Sequence, residues 1–66
     1  MPKYELIAIL DSHLAFFIQR QADNPEMHDV YQRIIDSTNV HLLKVRAFKK
    51  NFITEEDNLI LGGWAS

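Results

Sequence analysis

The sequence predicts an all-α fold, an antiparallel helical hairpin followed by a short third helix, and three observations predict it. Pro2, Pro25 and Gly62 bracket two long stretches that contain neither glycine nor proline. Within each stretch, apolar residues recur at spacings of three and four, the period of an amphipathic helix. The single break between them carries Asn24-Pro25, a helix-start signature.

Segment one runs from about Lys3 to Gln21. Ile7, Leu10, Leu14 and Phe17 mark one helical face, and Leu6, Ile9, His13 and Phe16 form a second row beside it, widened by Ile18. Two adjacent rows exceed what one neighbouring helix covers, so this helix is expected to meet more than one partner. At the break, Asn24 is read as the N-cap of the second helix. Pro25 takes its first position, where a missing N–H costs nothing. Glu26 and Asp29 follow in the first turns, where the helix dipole favours negative charge.

Segment two runs from Pro25 towards Asn51, with Met27, Val30, Tyr31, Ile34, Thr38, Leu42, Val45, Phe48 and Phe52 at helical spacing. Its soft spot is Asp36-Ser37-Thr38-Asn39, whose side chains compete for backbone hydrogen bonds. The helix there is continuous, kinked or restarted near Val40. In the tail, Thr54 reads as the N-cap of a short third helix with Glu55, Glu56 and Asp57 in its first turn, and Gly62-Gly63 as its stop. A small α+β form is the alternative, because Tyr4–Leu10 and Val40–Phe48 are rich in β-branched and aromatic residues. Neither run alternates strictly for long, and no Asn-Gly hairpin signal is present.

At 66 residues the chain is a single small domain, 1–66. Scaling rules give about 11,000 Å² exposed when unfolded and about 4,300 Å² when folded. Burial of the apolar share supplies about 100 kcal/mol, and ordering the chain consumes about 100 kcal/mol. The monomer therefore stands near break-even. With no cysteine, no disulfide adds to that balance and no thiolate is present for zinc or nucleophilic chemistry. Association is the natural supplement, and two hairpins are expected to dimerise into a four-helix arrangement.

Hydrophobic residues make up 47% and charged residues 24%, which argues against disorder. The longest apolar stretch, Leu6 to Ile18, is interrupted by Asp11, Ser12 and His13 and falls short of the roughly 20 residues of a membrane span. Nothing at the N-terminus resembles a signal peptide. A cytoplasmic protein is expected, with no membrane partner.

Charge is segregated along the chain. Residues 1–43 sum to −3, residues 44–50 to +4 and residues 51–66 to −3, which gives the net −2. Lys44, Arg46, Lys49 and Lys50, interleaved with Phe48 and followed by Phe52, form a basic segment able to contact phosphates. Helical phase would place Arg46, Lys49 and Lys50 on one side and Val45, Phe48 and Phe52 towards the core. The simpler account is a helix C-terminus whose cations complement the dipole.

No pattern for catalysis stands out. His28 and His41 lie thirteen apart, so one helix would turn them to nearly opposite sides. No His-x-x-x-His pair, Gly-x-Ser-x-Gly elbow or phosphate-binding glycine loop occurs. Asp11, Ser12 and His13 are adjacent and do not face one another. The expectation is therefore a non-enzyme without cofactor, metal or catalytic residues. The leading function is a protein-interaction module, a small regulator, inhibitor or assembly or chaperone subunit. It binds a partner protein, or itself, through Leu6, Ile9, Phe16 and Ile18, with Trp64 as a possible anchor. Nucleic-acid binding through Lys44, Arg46, Lys49 and Lys50 is the alternative.

Overall fold

The computed structural model describes residues 1–62. Helix α1 spans Lys3–Asp23, a 3-10 turn spans Pro25–Met27, α2 spans His28–Ala47 and α3 spans Glu55–Ile60. The two long helices pack against each other as a hairpin. Of the runs that favoured a strand, Tyr4–Leu10 lies in α1, and Val40–Phe48 lies in α2 except for its last residue, Phe48, which is extended. Among the described residues, β pairing is limited to an isolated bridge between Pro2 and Phe52.

Pro2, in extended backbone, precedes α1, and its carbonyl accepts from the N–H groups of Glu5 and Leu6 at 3.1 and 3.2 Å. At the far end Asn24 has a different role from the one expected. Its backbone N–H and its side-chain Nδ2 both donate to the Arg20 carbonyl, at 3.0 and 2.9 Å. Asn24 therefore closes α1, and its side chain does not cap the 3-10 turn beyond it. That turn explains the difference: α2 proper begins only at His28, so the nearest open backbone group for the Asn24 amide is behind it. Gln21 then ties the two helices together, donating to the His28 carbonyl at 3.1 Å and to Gln32 Oε1 at 2.9 Å.

Helix α2 runs unbroken through Asp36-Ser37-Thr38-Asn39. The Thr38 hydroxyl donates to the Ile34 carbonyl one turn back, at 2.8 Å, so its competition for the backbone is resolved inside the helix. The helix stops at Ala47, short of the expected Asn51, and Phe48 is extended. Lys3 Nζ donates to the Phe48 carbonyl at 2.6 Å and brings a cation to the negative end of α2. From there residues 51–53 run back beside residues 1–3. Lys3 N–H donates to the Asn51 carbonyl at 2.8 Å, Ile53 N–H to the Met1 carbonyl at 2.8 Å, and the Met1 ammonium to the Ile53 carbonyl at 3.0 Å.

These bonds seat Ile53 in the core with Leu6, Leu10, Leu42 and Val45. Ile7, Leu14, Phe48 and Leu61 pack around them, partly buried. These five clustered residues come from the first half of α1, the second half of α2 and the segment beyond; Ile35, 6% exposed, is buried separately in the first half of α2. The half of the hairpin nearest the turn has no such plug. Helix α3 begins with the expected cap in full: Asp57 N–H donates to Thr54 Oγ1 at 3.1 Å, and Thr54 N–H donates to Asp57 Oδ2 at 3.3 Å. Gly62, at φ +88°, ends it with a left-handed turn that residues with a Cβ rarely adopt.

Leu10, 1% exposed, lies at the centre of this core. Leu10→Ala is expected to remove about 2–5 kcal/mol, enough to abolish most of the helical circular dichroism of a domain this small. Ile60→Ala, at a position 81% exposed, is expected to change stability by less than about 0.5 kcal/mol. Urea titrations of the two variants followed by far-ultraviolet circular dichroism check both.

Candidate protein-interaction groove

Along one flank of the hairpin, α1 and α2 diverge into a groove of about 820 Å³, open to solvent. Helix α1 contributes Leu10, Ser12, His13, Phe16 and Phe17, and α2 contributes Ile34, Ser37, Thr38 and His41. Gly62, where the described chain ends, stands at its margin. His13 and Phe16 on α1, and Ile34, Ser37 and His41 on α2, follow helical spacings of three and four, with Leu10, Ser12, Phe17 and Thr38 beside them.

Helix α3 reaches the neighbouring part of this flank through Asn58. His41 is buried, and its Nε2 lies 2.9 Å from Asn58 Oδ1, a pairing in which the imidazole N–H donates. A second hollow, of about 260 Å³, lies among Leu6, Ile9, Ile53, Thr54 and Asn58. At the turn end, Phe16 meets Phe17 edge-on at 5.3 Å between centroids, and Phe17 lies 6.3 Å from Tyr31. The Arg20 guanidinium sits 5.9 Å from the Phe16 centroid, within cation–π range. No residue lining the groove is Asp, Glu, Lys or Arg. Among the described residues, no buried side-chain nitrogen or oxygen lacks a hydrogen-bond partner.

The expected contact row is only partly assembled. Leu6 is 3% exposed and belongs to the core, because residues 51–53 close over the start of α1. It is not available to a partner. Ile9 is half-buried and lines the smaller hollow towards α3. Phe16, 52% exposed, lines the groove; Ile18 is as exposed but two residues on, and it does not line it. Trp64 lies outside the described residues. The basic segment is divided differently from the expected helical phase. Lys44 and Arg46 are on the last turns of α2, whereas Lys49 and Lys50 lie past its end. Lys44, Lys49 and Lys50 are exposed, and Arg46 Nη2 lies 3.6 Å from Asp11 Oδ1. Phe52 is exposed at the bridge to Pro2 and is not turned into the core.

Ser12, Phe17, Ile34, Ser37 and Thr38 were not singled out as site residues from the sequence. Their signal, uncharged residues on two separate helices, becomes legible only once the helices are paired. Likewise His13 and His41 border one groove from different helices, a relation that spacing along one helix does not reveal. His28 is exposed, with Nδ1 3.5 Å from Asp29 Oδ1. Comparisons with protein-family models, with curated proteins and with solved structures found no match.

Asn58→Ala removes one hydrogen-bond partner of buried His41 and is expected to cost about 1–3 kcal/mol. Amide hydrogen exchange should locate the effect. Protection in α3 is expected to fall well before protection in α1 and in the first half of α2.

Proposed function

We propose that this chain is a non-catalytic protein-interaction module, a small regulator, inhibitor or assembly subunit that binds a partner protein through the groove between α1 and α2. One observation carries the reading: a half-exposed aromatic, Phe16, stands in an uncharged groove on a chain that is 24% charged. Interfaces are anchored in this way, with a desolvating aromatic centre and depletion of charge around it. Ser12, Ser37 and Thr38 supply polar groups at the margins. The groove suits a helix or an apolar side-chain cluster from another protein, and the reading assigns no catalytic residue, cofactor or metal. Of the expected row, Phe16 remains as a contact residue in the groove. In this reading the protein acts in the cytoplasm.

Nucleic-acid binding through Lys44, Arg46, Lys49 and Lys50 is the weaker reading. Arg46 already faces Asp11, and the four cations do not share one helical face. Ser37→Arg, which puts a long charged side chain into the groove, and the double variant Lys49→Glu/Lys50→Glu separate the two. A partner captured from native lysate by the wild type is expected to be retained by the double variant and lost by Ser37→Arg. The reverse pattern would overturn the proposal. A labelled duplex is expected not to bind at about 50 mM salt; tight binding there that collapses by about 200 mM would establish the nucleic-acid reading instead.

A further inference from the structure

We infer that the groove is occupied by this chain's own Trp64, whose indole enters from the α3 end and covers the face that the interaction reading assigns to a partner. Competition with a partner rests on that reading; the seating of Trp64 does not. Connectivity selects this occupant. Leu61 packs against the core cluster and the next residue, Gly62, lines the groove, so the chain passes from the core onto the groove's rim as α3 ends. Gly62 turns there with φ +88°. A Cβ built on it meets nothing within 4 Å, so the rim beside it is open. Trp64, past the described residues, is two positions further along the chain. Two residues span at most about 7 Å, which keeps the Trp64 backbone within that distance of the rim.

The chemistry of the two parts matches. No charged residue follows Asp57 up to Ser66, and none lines the groove. An indole is a large apolar surface with one N–H that needs a hydrogen-bond partner on burial. The groove offers Phe17 and Ile34 to the ring and the hydroxyl oxygens of Ser37 and Thr38 as acceptors. Arg20 stands over Phe16 towards the hairpin turn; Trp64 enters at the other end, beside the contact of Asn58 with His41. The small area of the face is no obstacle within one chain. A two-residue tether sets an effective concentration in the millimolar range or above, so a contact too weak to hold two chains together is populated in one. The seated indole also gives α3 a hold on the hairpin beyond Asn58 and Leu61. A partner for the groove then has its apparent affinity lowered by the fraction of chains in which the groove is open.

Trp64 is the chain's only tryptophan, so its fluorescence reports on this residue alone. Acrylamide quenching of the folded wild type is expected to be several-fold weaker than that of the urea-unfolded chain. Ser37→Arg is expected to raise quenching to the unfolded value with an unchanged circular dichroism spectrum. Leu43→Arg, at an exposed position that does not line the groove, is expected to leave it at the wild-type value. Nuclear Overhauser contacts from the wild-type indole to the methyl groups of Ile34 and Thr38 give a readout that needs no variant. Full quenching in the wild type overturns the inference, as do contacts to Leu6 and Ile9 of the smaller hollow instead. Protection lost on dilution from about 1 mM to about 10 μM also overturns it, because a tethered contact is independent of concentration. Coverage is tested with anilinonaphthalene sulfonate, a dye that binds exposed apolar surface. Trp64→Ala is expected to bind it several-fold more than the wild type, and Trp64→Ala/Ser37→Arg no more than the wild type. Equal dye binding by the wild type and Trp64→Ala overturns the inference, and so does excess binding that persists in the double variant. If Trp64 is seated but lysate capture survives Ser37→Arg, the interaction reading falls and the seating stands. If Trp64 is exposed while Ser37→Arg abolishes capture, the interaction reading stands and this inference falls.

Discussion

Two helices lying side by side bury only the line along which they touch. Each keeps a flank on either side of that line, and a two-helix layer becomes a core only where a third element closes it. In this protein the closure is Ile53, a single side chain inserted among Leu6, Leu10, Leu42 and Val45. Its position depends on backbone bonds between residues 1–3 and 51–53, reinforced by the Lys3 ammonium on the Phe48 carbonyl. The end of α2 has the same cause. A helix continued to Asn51 would carry residues 51–53 beyond the start of α1, so the chain turns to extended backbone at Phe48. Burial of Ile53 outweighs the helical periodicity that runs on through Phe48 and Phe52.

The same geometry accounts for the other half of the molecule. Beyond α3 nothing in residues 1–62 closes the flank, and the helices leave the groove between them. Ser37, Thr38 and His13 lie where a fully buried interface would demand aliphatic residues, and Thr38 meets its own helix backbone with its hydroxyl. These residues tolerate water and also pack. His41 marks the boundary between the two halves, buried on the side where Asn58 receives it and bordering the groove on the other.

Features set by neighbours in sequence were legible in advance. The pairing of Thr54 with Asp57 is a four-residue motif, and it forms as its spacing implies. The hairpin break at Asn24-Pro25 is equally local, although the direction in which Asn24 bonds depends on a 3-10 turn that composition does not announce. Long-range features were not legible. Leu6 reads as one more member of an apolar row, and only the return of residues 51–53 turns it into core. The groove draws its residues from two helices, so no stretch of sequence contains its pattern. It had to be assembled from stripes whose relative rotation is set by packing.

The charge pattern looks different once the fold is known. Along the sequence, the cationic segment 44–50 was the most distinctive local feature. In the fold its parts are separated by the end of α2, and Arg46 meets Asp11 across the helix pair. Such an exposed pair contributes little to stability, but it lowers the charge available to a phosphate. Cations in the last turn of a helix need no ligand to explain them, because the carbonyls there are already a partial negative charge. An uncharged groove has no comparable local cause. On a chain where 16 of 66 residues carry charge, a groove lined by neutral residues from two separate helices is the observation on which the proposed interaction reading rests. That makes the neutral flank a stronger guide to function than the basic segment.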